Sequence, residues 1–141
     1  MAEYQGPLPV PDKDSAEFWD AARRHQLVIQ QCLECQEFRF YPRSVCPHCL
    51  SDRFAWRAAS GRGAVYSFTV IHRAPSAAFR DRVPYVLALI ELEEGVRMMS
   101  NIVDCDPGAV KIGMPVEVVF EEVTADVTLP KFRPVFGSAE Y

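Results

Sequence analysis

Four of the five cysteines have the spacing of a metal site. They form two Cys-x-x-Cys pairs, Cys32-Leu-Glu-Cys35 and Cys46-Pro-His-Cys49, separated by ten residues. Each such turn places two sulfur atoms on one side of an ion, and two turns complete the tetrahedral shell that zinc prefers. Because four thiolates leave no position for water, we expect a structural zinc ion and not a catalytic one.

Two other uses of paired cysteines fit the pattern less well. A redox dithiol explains one Cys-x-x-Cys pair but not two in tandem, and an iron–sulfur cluster can also take four cysteines. Symmetric pairs that flank a short hairpin, expected with strands at 36–41 and 42–45, favour a zinc ribbon. His48 lies inside the second pair, where the cysteines already complete the shell, so we expect it to be exposed.

Little else in the sequence suggests catalysis by this chain alone. Its three histidines, His25, His48 and His72, stand beside no recognisable nucleophile. The common hydrolase, metalloprotease and nucleotide-binding motifs are absent from the sequence. Cys105 lies between two aspartates, whose charges raise the pKa of a thiol and weaken it as a nucleophile. We therefore predict that the chain is not an enzyme on its own.

Composition predicts a cytoplasmic protein of one domain, or of one domain with a small appendage. The 141 residues are 49% hydrophobic, which is enough for a packed core. No apolar stretch is long enough to cross a bilayer, and the N-terminus lacks the features of a secretory signal. We therefore expect reduced thiols and no membrane partner.

The charges are segregated along the chain. The net charge is −4, which makes nucleic acid an unlikely partner. Six arginines stand between residues 53 and 82 against one acid, whereas nine acids follow over 83–126. This pattern is typical of a basic face for an anionic ligand, although charges at strand ends and loops would also produce it.

One helix and a series of short strands must position these residues. After an extended arm over 1–11, we expect a helix from Asp14, which has the spacing of a capping box with Glu17. Phe18 and Trp19 give this helix an apolar face, which packs on its own domain or docks on a partner. The expected division is an arm and helix at 1–25, a zinc ribbon at 26–53 and a barrel with a C-terminal tail at 54–141.

Strand patterns dominate after the cysteines. Short strands with glycines at likely corners favour a small closed barrel, for which the OB-fold is the commonest solution at this size. The stretch 129–134 contains too many prolines for a central strand. The predicted strands are 27–31, 54–58, 64–72, 85–92, 96–103 and 116–123.

Motifs along almost the whole chain resemble those of the zinc-ribbon OB-fold acyl-CoA-associated proteins, a family long known only as a domain of unknown function. One departure is Gln36, where glycine commonly follows the first cysteine pair. The resemblance rests on both cysteine pairs, on Phe40-Tyr-Pro-Arg43, and on the stretches 60–69 (SGRGAVYSFT), 84–92 (PYVLALIEL) and 112–118 (IGMPVEV).

This resemblance implies a mainly β fold with an N-terminal helix, a rubredoxin-like zinc ribbon and a five-stranded antiparallel OB-fold barrel. It also implies a role, since members act as small partner subunits of thiolases, acyltransferases and lipid-transfer-protein-type steroid aldolases. We therefore expect a non-catalytic accessory subunit that binds such a thiolase-superfamily enzyme and helps to bind or channel its acyl-CoA substrate. Zn²⁺ is the expected structural ion, and the coenzyme A thioester is a ligand shared with the partner.

Arginine suits the phosphates of coenzyme A because its planar guanidinium binds two oxygens at once. Aromatic side chains such as Tyr66, Phe79 or Phe132 could support the adenine. Phe18 and Trp19 are the candidates for contact with the partner enzyme. The predicted acyl-CoA contacts are Arg62, Arg73, Arg80, Arg82, Lys131 and Arg133.

The alternative is an OB-fold that binds single-stranded nucleic acid. Such domains combine base stacking with a basic groove, and Tyr66, Phe68 and Arg73 are the residues that fit this use. The acidic total and the lack of a lysine-rich stripe make this alternative less consistent with the sequence.

Overall fold

A helix, a small sheet and a closed barrel make up residues 8–135, the part of the chain that the computed structural model describes. The predicted arm lies partly outside the described residues, at 1–7. No helix within 8–135 is long and apolar enough to cross a membrane. The elements are α1 (Ala16–Arg23), β1 (Val28–Cys32), β2 (Phe38–Arg39), β3 (Phe54–Ala58), β4 (Arg62–Ile71), β5 (Tyr85–Leu92), β6 (Arg97–Ile102), β7 (Pro115–Glu122) and β8 (Thr128–Pro134).

The first three strands form their own sheet, in the order β2-β1-β3. Strand β3 pairs with β1 over its whole length, from Val28 opposite Ala58 to Cys32 opposite Phe54. The barrel therefore begins at β4, and not at residue 54 as the sequence predicted, because β3 has its hydrogen-bonding partner in the ribbon. The predicted hairpin is also shorter than expected, since only β2 is a strand and residues 42–45 are a loop.

The last five strands close into a barrel in the order β4-β5-β6-β8-β7, which is the arrangement of an OB-fold. All neighbouring pairs are antiparallel except β6 and β8. Strand β5 shows the expected alternation, with Val86, Ala88, Ile90 and Leu92 buried and the residues between them more exposed. The predicted mainly β fold with an OB-type barrel is confirmed.

Strand β8 corrects the prediction that 129–134 is too rich in proline for a central strand. It lies between β7 and β6 and pairs with β7 over its whole length, but with β6 at a single residue pair. The carbonyl of Pro130 accepts a hydrogen bond from Ser100 Oγ on the β6 side, at 2.9 Å. Since the N–H and C=O sites of one residue point the same way from a strand, the proline nitrogen faces β6 and removes no bond from the β7 ladder.

Helix α1 begins two residues later than predicted, and a different aspartate stabilises its start. Ser15 is the N-cap, and the Asp12 Oδ1 atom accepts hydrogen bonds from its backbone N–H at 2.9 Å and its hydroxyl at 3.0 Å. These bonds lower the pKa of Asp12. The predicted capping box of Asp14 and Glu17 does not form, because Ser15 occupies the N-cap position in its place.

The helix and the ribbon share one hydrophobic core with the barrel. Phe18 of α1 and Ile29 of β1 belong to the same buried cluster as Val65, Ile90 and Phe132 of the barrel. Phe18 is only 2% exposed. Phe18 therefore packs on its own domain, which is one of the two uses expected for the helix face, and little of its ring remains exposed.

Close packing at Gly63 provides a test of the barrel. A Cβ atom at this position would stand 2.4 Å from the Glu91 carbonyl oxygen on β5. We expect Gly63→Ala to lower the free energy of unfolding by about 1–3 kcal/mol, because neither backbone can move without breaking the ladder. Urea unfolding measures this change.

The matched control is Gly108→Ala, where the nearest atom to the new Cβ is Asp106 Oδ1 at an ordinary 3.6 Å. This variant should stay within about 0.5 kcal/mol of wild type. Equal losses in both variants would contradict the packing of β4 on β5.

Candidate metal centre and ligand surface

The four paired cysteines meet at one end of the ribbon sheet. Cys32 is the last residue of β1, and each pair closes a tight turn in which Gln36 N donates to the Cys32 carbonyl and Leu50 N donates to the Cys46 carbonyl. All four sulfur atoms lie within 4.8 Å of one another, with the sulfurs of Cys32 and Cys49 3.5 Å apart and those of Cys35 and Cys46 3.7 Å apart. A tetrahedron with zinc–sulfur bonds of about 2.3 Å has edges of about 3.8 Å, so these four ligand atoms fit zinc.

Backbone amides prepare one sulfur of each pair to be a thiolate. The N–H groups of Cys35 and Glu34 lower the pKa of Cys32 to about 6, and those of Cys49 and His48 lower the pKa of Cys46. Such bonds favour the charged form of the sulfur, which is the form that binds a metal.

The second sulfur of each pair depends on a cation. The N–H of Glu37 favours the thiolate of Cys35, but burial and the three neighbouring sulfurs outweigh it and raise the pKa of this thiol to about 12. Four thiolates at these distances repel one another, and a divalent cation at their centre removes that repulsion.

The turns that hold the cysteines carry some backbone strain. Gln36 and Leu50 each follow the second cysteine of a pair, and each has a φ of 68°, in the left-handed region that favours glycine. Gln36 therefore adopts a backbone conformation that glycine would adopt more easily, and Leu50 does the same in the other turn.

The exposure of His48 and the pKa of Cys105 agree with the sequence predictions. His48 is exposed, as predicted. Burial is the main cause of the raised pKa of Cys105, with smaller contributions from Asp106 and Asp104. Cys105 is therefore expected to be a weak nucleophile mainly because its thiol is partly buried, and only secondarily because of the two aspartates.

Strand β4 separates the predicted acyl-CoA contacts into two groups. Arg73, Arg80 and Arg82 lie in the loop between β4 and β5, whereas Arg62 is the first residue of β4. Ten residues of strand span about 30 Å. Arg62 and the loop arginines therefore lie at opposite ends of β4.

The second group already has carboxylate partners. Arg133 Nε donates to Glu117 Oε2 at 2.8 Å, and Glu117 stands opposite Arg62 on the neighbouring strand. Lys131 is 7% exposed, and its Nζ atom lies 2.9 Å from Glu121 Oε1. These contacts neutralise much of the charge that the sequence offered to a ligand.

The aromatic candidates for adenine also divide. Phe132 is fully buried in the core and cannot contact a ligand, so that prediction is wrong. Phe79 lies in the same loop as the first arginine group, and its ring stacks on Tyr85 with centroids 5.6 Å apart. One face of Tyr66 is covered by the Arg97 guanidinium, at 3.7 Å.

An apolar groove of about 370 Å³ lies between α1, the loop after β2, and strands β6 and β8. Trp19 Nε1 donates to the Tyr41 hydroxyl at 3.0 Å at one wall, and Met99, 65% exposed, forms another. Of the residues that line the groove, the sequence predicted Phe18 and Trp19 as partner contacts and Lys131 as an acyl-CoA contact, but it did not predict the methionines. The pair Met98-Met99 was the available signal, since alternation on a strand turns one side chain inward and the other outward.

Two family models match the chain. Residues 19–55 match the model described as "ChsH2, rubredoxin-like zinc ribbon domain", and residues 56–121 match "ChsH2, C-terminal OB-fold domain". The chain belongs to the ChsH2 family. The resemblance found in the sequence is therefore confirmed, and the four-cysteine cluster of this ChsH2-type ribbon indicates a structural zinc site.

A solved structure and two other proteins are similar to the chain. A chain of the structure described as "Ltp2-ChsH2(DUF35) aldolase" is 43% identical, with a TM-score of 0.81 over 89% of this chain and 98% of that chain. A "DUF35 domain-containing scaffold protein" of Methanocaldococcus jannaschii is 43% identical over 119 residues, which are 79% of this chain and 84% of the relative.

The other relative is longer. The "Probable enoyl-CoA hydratase alpha subunit" of Thermomonospora curvata is 42% identical over 134 residues, which are 95% of this chain and 41% of the relative. This ChsH2-family chain thus spans less than half of that subunit.

The metal centre makes a direct prediction. Cys32→Ser should lower bound zinc from one ion per chain to a small fraction of that, because it removes one of the four ligands. It should also lower the thermal stability of the chain, because structural zinc supplies about 10 kcal/mol or more of folding free energy in small domains. Metal analysis and thermal unfolding of the purified variant measure both effects.

Cys105→Ser is the control, because it makes the same change at a half-buried cysteine that lies outside the cluster. It should keep one zinc per chain. A wild-type protein that is folded and stable without zinc would contradict a structural role for the ion.

Proposed function

We propose that this chain is a non-catalytic accessory subunit of an enzyme that processes acyl-CoA. The partner is a thiolase-superfamily enzyme, with a lipid-transfer-protein-type aldolase as the best-supported kind. One observation carries the proposal, the similarity of nearly the whole chain to a chain of the "Ltp2-ChsH2(DUF35) aldolase" structure, at 43% identity. Steroid or other lipid degradation is the proposed setting.

A non-catalytic role agrees with the chemistry of residues 8–135. The four sulfurs that bind a metal leave no coordination site for a substrate. Cys105 has a raised pKa, and the His25 Nε2 atom forms a hydrogen bond with Glu122 Oε2 at 2.8 Å on the surface. Carbon–carbon cleavage or acyl transfer is therefore assigned to the residues of the partner enzyme.

The apolar groove is the proposed surface for the partner enzyme. Its apolar walls and the exposed Met99 have the composition of the central part of a protein interface, where aromatic residues and methionine are enriched. Trp19 remains a candidate for contact, whereas Phe18 supports the groove from beneath.

The loop between β4 and β5 is the proposed acyl-CoA contact. Arg73 and Arg80 are exposed on it, and Arg82 is half-buried beside them. Three guanidinium groups on one loop suit the three phosphates of coenzyme A, with Phe79 nearby for the adenine. Arg62, Lys131 and Arg133 are secondary candidates because of their distance from this loop or their carboxylate partners.

Binding of single-stranded nucleic acid receives less support. Phe68 packs against the hydrophobic core, and Arg97 covers one face of Tyr66. Base stacking needs open aromatic faces. The residues that fitted this use in the sequence are therefore poorly placed for it.

The groove makes a prediction about the partner. Tagged protein from its native cells should co-purify with a thiolase-like enzyme, identified by mass spectrometry. Met99→Asp should weaken the complex about tenfold or more, because it places a charge in the apolar centre of the interface. Calorimetry or interferometry with the purified partner measures the change.

Ile112→Asp is the matched control, since Ile112 is similarly exposed at 70% but does not line the groove. It should change the dissociation constant less than about threefold. Recovery of the chain alone, or with RNA, would contradict the accessory role, and equal weakening by both variants would contradict the groove.

The loop makes a separate prediction about the ligand. In the assembled complex, Arg73→Ala and Arg80→Ala should each raise the KM for acyl-CoA about tenfold with little change in kcat, because a charge-assisted hydrogen bond contributes about 1.5–3 kcal/mol. Arg23→Ala, an exposed arginine on α1, is the control. An unchanged KM in both loop variants would remove the coenzyme A site from this loop.

A further inference from the structure

Arg39 is a buried charge without a counter-charge. It lies on β2 and is only 6% exposed. No carboxylate of residues 8–135 lies within ion-pair distance of it. A buried cation is costly unless something negative compensates it. The compensating charge must therefore come from something other than an acidic side chain of this range.

The hydrogen bonds of Arg39 go to neutral acceptors. Its Nε donates to Gln30 Oε1 at 2.7 Å and its Nη2 to the Arg43 carbonyl at 2.9 Å. Arg39 Nη1 and Gln30 Nε2 are buried donors without an acceptor in the structure. The interior of the ribbon thus has an excess of donor groups and a positive charge, which suits a nearby anion.

The register of the ribbon sheet places Arg39 beside the cysteine cluster. Gln30 and Cys32 are two residues apart on β1, so they face the same side. Arg39 stands opposite Gln30 and Phe54 stands opposite Cys32. The Arg39 guanidinium lies 4.9 Å from the centre of the Phe54 ring, which directs it along this face toward the Cys32 end of the strand.

A cavity joins Arg39 to the second cysteine pair. Arg39 and Cys46 line one cavity of about 200 Å³, together with Glu37 and His48. The carbonyl that accepts from Arg39 Nη2 belongs to Arg43, three residues before Cys46. Arg39 therefore shares the Cys32 face of the sheet and lines a cavity with Cys46 of the second pair.

We infer that Arg39 is the internal counter-charge of the zinc centre. One Zn²⁺ with four thiolates carries a net charge of −2, which is unfavourable in a partly buried site. A guanidinium that cannot lose its proton offsets half of that charge. Arg39 is thus a positioning residue that raises the affinity for zinc without binding it.

Charge and hydrogen bonding are separated by two substitutions. Arg39→Met removes both, whereas Arg39→Lys keeps the charge and loses the paired hydrogen bonds. The dissociation constant for zinc is measured by competition with a chelator at one neutral pH. We expect Arg39→Met to weaken zinc binding about 10–100-fold, as outer-shell substitutions at metal sites do, and Arg39→Lys to stay within about threefold of wild type.

Arg53→Met is the control. Arg53 also lies beside the first cysteine pair, but it is exposed and pairs with Glu34. It should change the zinc affinity less than about threefold, because solvent screens an exposed pair. The effect at Arg39 should also persist at high salt, since screening acts weakly on buried charges.

Several outcomes would overturn the inference. Wild-type zinc affinity in Arg39→Met shows that the charge is not used. Equal weakening in Arg39→Lys and Arg39→Met shows that the hydrogen bonds, and not the charge, are needed. If Arg39→Met fails to fold, Arg39→Lys decides, and its failure to retain zinc also rejects the counter-charge.

Discussion

The mutual repulsion of four sulfur atoms is the constraint on which this structure depends. The sulfurs lie within 4.8 Å of one another, so they can all be thiolates only around a cation. The three-stranded ribbon sheet is too small to bury a core of its own, and the metal centre holds its far end together. At its near end, Ile29 enters the barrel core. The ribbon is thus held at both ends by different forces.

The shared core makes the ribbon and the helix a fixed platform on the barrel. Phe18 packs beneath the groove, while Trp19 and Tyr41 stay at its surface and are joined by a hydrogen bond. An interface built on packed elements keeps its shape before a partner arrives, which lowers the entropic cost of association. This architecture is consistent with the accessory role proposed above.

Charge is distributed on the barrel in two different ways. On β7 and β8, opposite charges face each other across the strands, as Glu117 and Arg133 do, so that side of the barrel offers little net charge to a ligand. The loop after β4 instead carries Arg73 and Arg80 in solvent. The exposed positive charge of this part of the barrel therefore lies on the loop, where the acyl-CoA contact is proposed.

Local patterns were sufficient where one short-range rule controls the structure. The spacing of the cysteines predicted the cluster because a Cys-x-x-Cys turn is a local geometry. The apolar run at 85–92 predicted β5 with the correct ends, since its flanking residues are turn formers. At the helix start a local rule was misleading, because Asp12 and Ser15 compete with the capping box expected at Asp14.

The sequence by itself determined the ligand atoms of the metal site, the family and the class of fold. Only the tertiary structure decided which surfaces remain available, because pairing and burial depend on residues distant in the chain. The tertiary structure buries Phe18 in the core and pairs β3 with β1 of the ribbon sheet. It also pairs β8 with β6 at only one residue pair, so that prolines can be accommodated in this strand. It also separated Arg62 from Arg73 by the length of a strand, although they are close in sequence, since an extended chain rises about 3.3 Å per residue.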